Sequence, residues 1–77
     1  MIKIQGPDWE ILRVLKIISM RNMDIVNQLK IDKGVVSKSV SGLEMIGLVK
    51  RNGKLIELTD QGVWYAEFYE KVKHGTR

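Results

Sequence analysis

Residues 43–62, LEMIGLVKRNGKLIELTDQG, leave few options for the fold. The stretch reads as the end of a helix, a β-hairpin and the start of another helix. Gly47 sits where a helix needs a left-handed terminal residue. Leu48 and Val49 begin a strand. Asn52-Gly53 predicts a type I′ turn, whose two central positions both need positive φ. Leu55, Ile56 and Leu58 return as the second strand. Thr59 caps the next helix, with Asp60 in its first turn to favour the helix dipole. The hairpin carries Lys50 and Arg51 before the turn and Lys54 after it. This turn sets Arg51 directly opposite Lys54, and facing like charges destabilise a hairpin. A phosphate between them would relieve the repulsion. The same charges would also protect an edge strand from aggregation, and both roles can hold together.

Seventy-seven residues make one domain, 1–77, too short for two cores. Nearly half the residues are hydrophobic, so the chain can bury a core. The length suggests a complete small protein, and the N-terminus MIKIQGPDWE lacks the apolar core of a secretory signal. No apolar run approaches the roughly 18 residues of a membrane span, so no membrane partner is expected. The absence of cysteine excludes disulfides and thiolate metal sites and fits a cytoplasmic location.

The net charge of +4 is unevenly spread. Between Arg21 and Lys54 lie seven basic residues (Arg21, Lys30, Lys33, Lys38, Lys50, Arg51, Lys54) and three acidic ones (Asp24, Asp32, Glu44). Seven minus three leaves the whole excess there, and the flanks are neutral. A lysine-rich solvated surface would account for this. Together with the hairpin, it favours a local site for a polyanion.

Pro7 and Asp8 suit a first helical turn, and helix one is expected from about Pro7 to Met20. Ile11, Leu12, Val14, Leu15 and Ile18 fall on one arc, the core face. Trp9, Ile17 and Met20 fall on the other side. Apolar residues on both sides suggest cover from a second subunit, although Trp9 could simply pack on a loop. Asn22 is expected to cap a short second helix, about Met23 to Leu29. Asp32 caps a third, about Lys33 to Ile46. A short helix, a tight turn and a longer helix over about 22–46 is the spacing of a helix-turn-helix.

On the third helix Val35, Val36, Val40, Leu43 and Ile46 gather on one arc. Lys33, Gly34, Ser37, Lys38, Ser41 and Met45 lie on the other. Gly42 is read as a point of close packing against a neighbouring helix. Small side chains at Ser37 and Ser41 allow close approach to base edges and phosphates, and their hydroxyls can bond to both. Lys38 is the one long donor near the middle of that face. Bidentate base readers are absent, so base readout should be modest. The last helix, about 60–73, carries Trp64, Tyr65, Phe68, Tyr69 and Val72 on one arc. The stripe could be merely core, the simpler reading for Trp64 or Tyr65, with Tyr65 also a candidate for a subunit interface. Tyr69 and Val72 lie farther along, beyond the expected reach of the small domain, and suit a second subunit. The tail 74–77 is expected to fray.

The fold class is therefore mainly α with a small hairpin: a winged helix-turn-helix of three helices, a two-stranded wing at about 48–58, and a C-terminal helix. Val36-Ser37-Lys38, Leu43-Glu44, Gly47-Leu48-Val49, the basic run Lys50 to Lys54, and Leu58-Thr59-Asp60-Gln61-Gly62 resemble the centre of MarR-type winged-helix regulators. The match covers roughly residues 20–64. The resemblance implies a homodimer on double-stranded DNA, with the third helix in the major groove and the wing at the flanking minor groove. It carries DNA contact to Ser37, Lys38, Arg51 and Lys54. With the charge and face arguments, the expected DNA surface is Lys33, Ser37, Lys38, Ser41, Lys50, Arg51, Asn52 and Lys54. The expected dimer surface is Trp9, Ile17, Met20, Tyr65, Tyr69 and Val72. Full-length MarR proteins are nearly twice as long and hold a ligand cleft, so no small-molecule ligand is expected here.

A single histidine, in the tail, cannot assemble a metal site or a catalytic triad. No glycine-rich phosphate loop is present. The chain is expected to be no enzyme and to need no cofactor. The remaining readings are a sequence-selective, homodimeric transcriptional regulator and a winged-helix protein-interaction or architectural chromatin module. A scaffold has no need for net charge confined to residues 21–54.

Overall fold

The first helix, α1 (Gly6–Ile17), buries Ile11, Leu12, Val14 and Leu15, the stripe that helical spacing selects. A computed structural model describes residues 6–74, with side chains up to Val72. The expected fraying of residues 75–77 lies outside the described residues. The other elements are α2 (Asn22–Leu29), α3 (Lys33–Met45), β1 (Val49–Asn52), β2 (Leu55–Leu58) and α4 (Asp60–His74). Ile25 of α2, Val36, Val40 and Leu43 of α3, Leu48, Val49, Ile56 and Ala66 of α4 complete one core. Among the described residues no helix is long and apolar enough to cross a membrane.

Helix α1 stops three residues short of Met20 because Met20 is used as a strand. Its N–H donates to the Ile56 carbonyl at 3.2 Å, and the Ile56 N–H donates to the Met20 carbonyl at 2.7 Å. This reciprocal pair satisfies backbone groups that β2 would otherwise leave on an open edge. Ile18, expected in the core, is instead 61% exposed. Arg21, and not Asn22, is the N-cap of α2: its backbone is extended and its N–H donates to Asp24 Oδ2 at 3.2 Å. Asn22 thereby moves into the first turn.

The turn of the helix-turn-helix is made by Lys30 in the left-handed region, φ 58°, with its N–H on the Val26 carbonyl at 2.8 Å. Asp32 caps α3 as expected and accepts from the Gly34 N–H at 2.8 Å. At the far end Gly47, φ 86°, donates to the Glu44 carbonyl at 3.1 Å, and Leu48 donates to the Leu43 carbonyl at 2.9 Å. These crossed bonds form a Schellman motif, and they deliver Leu48 directly into the core. Val35 and Ile46, expected on the core arc, are exposed at its margins. Gly42 makes no close approach to another element: among the described residues a Cβ there would meet no atom outside its own stretch of helix within 4 Å.

The hairpin register differs from the expectation. Asn52 pairs with Leu55, Arg51 with Ile56, Lys50 with Glu57 and Val49 with Leu58. The turn residues are therefore Gly53 and Lys54. Gly53 has φ 64°, while Lys30 is the only non-glycine residue with positive φ among those described. Glycine at the first central position alone fits a type II′ turn. The slip removes Arg51 from opposite Lys54 and sets Lys50 against Glu57, exchanging a repulsive pair for an attractive one.

Helix α4 departs most from its reading. Ala66, not an aromatic residue, is its buried core contact, and Trp64 is 59% exposed. Tyr69 lies well within reach of the domain: its ring stacks on Trp9 at 5.2 Å and its hydroxyl donates to Glu10 Oε2 at 2.6 Å. Lys16 Nζ donates to Glu70 Oε1 at 2.6 Å along the same seam. That bond, aided by the charges of Glu70 and Glu67, raises the Lys16 ammonium above its ordinary pKa against a smaller opposing effect of desolvation.

Candidate nucleic-acid interface

The surface begins with what α3 does not bury. Val36, Val40 and Leu43 point inward, which sends Gly34, Lys38, Ser41 and Met45 to solvent on the opposite side. At about 100° per residue, Lys33, Ser37 and Glu44 share one flank between these faces. Lys33, Lys38 and Ser41 are exposed and Ser37 is half-buried. Lys38 also borders a shallow hollow with Pro7, Asp8, Ser39 and Gly42, between the start of α1 and α3.

The wing supplies the second part. Lys50, Asn52 and Lys54 are exposed, and Asn52 Nδ2 lies 3.5 Å from Glu57 Oε2. Arg51 alternates onto the same face as Val49 and turns toward the end of α3. There its Nε donates to Glu44 Oε1 at 3.0 Å. The Glu44 flank of α3 is thus the flank that faces the wing. At the level of sequence, an Asn52-Gly53 turn hides this contact by setting Arg51 against Lys54. The available signal was its spacing of two from Val49, which puts it on the inward side under either register.

Arg21, Asn22, Met23, Arg51, Gly53 and Lys54 line an open notch of about 400 Å³ between the start of α2 and the hairpin turn. Arg21 was not among the expected contacts. Asn22 Oδ1 is buried nearby with no hydrogen-bond partner among the described residues.

The expected dimer residues divide into two groups. Trp9, Met20 and Tyr65 pack, partly buried, against this chain's own core, and Tyr69 stacks on Trp9. Trp9 also approaches Tyr65 and Phe68, each at 6.4 Å between ring centres. Ile17, 77% exposed, and Val72 remain open. Trp64 and Phe68, stacked with ring centres 5.6 Å apart and planes 4° from parallel, are exposed beside them in the helix sequence. Helical spacing puts both on the arc that also carries Tyr65, which packs on the core, so the sequence does not separate this exposed pair from core residues.

The arrangement of four helices and wing is shared with solved regulators. A MarR/EmrR family transcriptional regulator from Acinetobacter is 27% identical, with a TM-score of 0.82 over 94% of this chain and 56% of that one. The fold is that of a MarR-type winged helix. ZitR from Lactococcus lactis, as an engineered mutant, gives a TM-score of 0.87 at 23% identity, over 96% of this chain and 56% of that one. A MarR family protein from Mycobacterium tuberculosis gives 0.85 at 20% identity, over 94% of this chain and again 56% of its own. The chain therefore spans little more than half the length of these structures. No protein-family model matches its sequence, and no curated protein matches it either.

Proposed function

We propose that this protein is a sequence-selective, duplex-DNA-binding transcriptional regulator that works as a homodimer in the cytoplasm. The observation that carries the reading is the joining of two basic elements into one body. Helix α3 presents Lys33 and Lys38, the wing presents Lys50, Arg51 and Lys54, and the Arg51–Glu44 pair ties the wing to α3. The similar MarR/EmrR family protein from Acinetobacter, itself a transcriptional regulator, supports the same reading. In it, Ser37, Lys38 and Ser41 enter the major groove, while Lys50, Arg51, Asn52 and Lys54 hold the backbone at the flanking minor groove.

The second copy is called for by exposed apolar surface. Ile17, Trp64, Phe68 and Val72 are large hydrophobic side chains open to water in a small domain. A two-fold pairing across them would present two recognition helices about 34 Å apart to a roughly palindromic site.

The test is a titration of fluorescent duplex DNA across salt concentrations. A dimer making roughly 6–10 phosphate contacts should lose about 10³–10⁵ in affinity between 50 and 200 mM salt. No binding at low salt would remove the regulator reading and leave a winged-helix scaffold.

A further inference from the structure

Arg51 belongs to two structures at once. Its Nε donates to Glu44 on the last turn of α3, and the same side chain lines the notch shared with Arg21 and Lys54. The notch thus has three cations on its walls, drawn from the start of α2 and from the wing, and none of the described residues lining it is acidic. Three neighbouring cations repel one another, and a free arginine side chain would swing outward to reduce that repulsion. Its rotamer freedom favours the same escape. Glu44 opposes both effects. It takes the Nε–H and leaves the terminal nitrogens of the guanidinium fork as donors with no side-chain partner among the described residues.

We propose that Glu44 is a positioning residue: its carboxylate fixes Arg51 so that Arg51, Arg21 and Lys54 together receive one backbone phosphate between α2 and the wing. The proposal rests on the duplex-DNA reading above. It assigns Arg21 to the interface and gives an acidic residue a constructive part in binding a polyanion. Notch size agrees, since about 400 Å³ of open space admits a phosphodiester group with its hydration.

The sign of the effect separates positioning from simple charge. Glu44 is a negative group beside the expected path of DNA. By Coulomb's law alone its removal tightens binding on every duplex. A positioning carboxylate gives the opposite result, and gives it only while Arg51 is present.

The experiment measures duplex affinity and its salt slope for wild type, Glu44→Gln, Glu44→Ala, Arg51→Ala and the double variant Glu44→Ala/Arg51→Ala. Thermal melts confirm folding, which exposed Glu44 and Arg51 should leave intact. Glu44→Ala should weaken binding about two- to fivefold, the scale of an exposed ion pair. Glu44→Gln, which keeps a neutral acceptor, should lose less. The salt slope should fall by about one contact in Glu44→Ala. In the Arg51→Ala background, removing Glu44 should cause no further loss. Tighter binding by Glu44→Ala, or an equal loss with and without Arg51, overturns the positioning role while leaving the DNA reading intact. A wild type that binds no duplex at low salt overturns the DNA reading, and the positioning role falls with it.

Discussion

The hydroxyl of Thr59 donates to the carbonyl of Gly47 at 2.6 Å and so ties the start of α4 to the end of α3 across the base of the wing. The same oxygen accepts from the Gly62 N–H at 3.1 Å, as an N-cap should. The Thr59 N–H donates to the Leu48 carbonyl at 3.0 Å. One residue therefore caps a helix, satisfies the carbonyl of the glycine that follows α3 and closes the hairpin.

Replacing Thr59 by Val keeps the shape and removes both hydroxyl bonds. The loss should be about 1–2 kcal/mol, the scale of a strong N-cap. Thr59→Ser should keep most of the stability. Urea unfolding of the three proteins checks this, and equal midpoints for Val and Thr would show that the hydroxyl contributes nothing.

Gly62 and Gly42 should respond to alanine in opposite ways. A Cβ at Gly62 would sit 2.0 Å from the Leu48 carbonyl oxygen, a backbone atom that cannot rotate away. Gly62→Ala should cost about 3 kcal/mol or more, or prevent folding. Gly42 is inside α3 with open space around it, so alanine should stabilise by up to about 1 kcal/mol. A pair of thermal melts decides both.

Legibility in the sequence followed the range of the interactions concerned. Gly47, Asp32 and Thr59 were readable because caps act within a few residues. Two features were not readable because they depend on distant partners. Met20 leaves α1 for an edge bond with Ile56, which no local periodicity encodes. Tyr69 finds Trp9 sixty residues earlier and Glu10 fifty-nine residues earlier only after α1 and α4 pack together. The hairpin lies between these cases. Asn52-Gly53 is a strong turn signal, yet the turn is Gly53-Lys54, which pairs Lys50 with Glu57 and removes Arg51 from opposite Lys54. Within the candidate interface, lysines and serines were legible as an exposed face, whereas Arg21 and Glu44 required the notch and the α3–wing contact.

The wing and α3 should divide the work of binding. Lys50→Ala and Lys54→Ala should weaken binding to all duplexes about equally, each lowering the salt slope by about one, because backbone contacts carry no sequence information. Substitutions at Ser37, Lys38 or Ser41 should change which sequences are recovered from a random duplex pool. A wing variant that changes the selected sequence while the α3 variants do not would reverse the assignment.

The apolar surface of α4 predicts the oligomeric state. Trp9 and Tyr69 are engaged with each other, so they have little left to offer a partner. Ile17, Trp64, Phe68 and Val72 remain exposed. Glu substituted at Ile17 or Phe68 should therefore give a folded monomer, since neither site is buried in the chain. Its DNA binding should be much weaker, because one half-site no longer tethers the other. Tyr69→Phe should instead remain dimeric and lose a little stability through the missing bond to Glu10. Sedimentation at micromolar concentration measures all three against wild type. A wild type that sediments as a monomer and binds one copy per site would assign the exposed aromatic pair another partner.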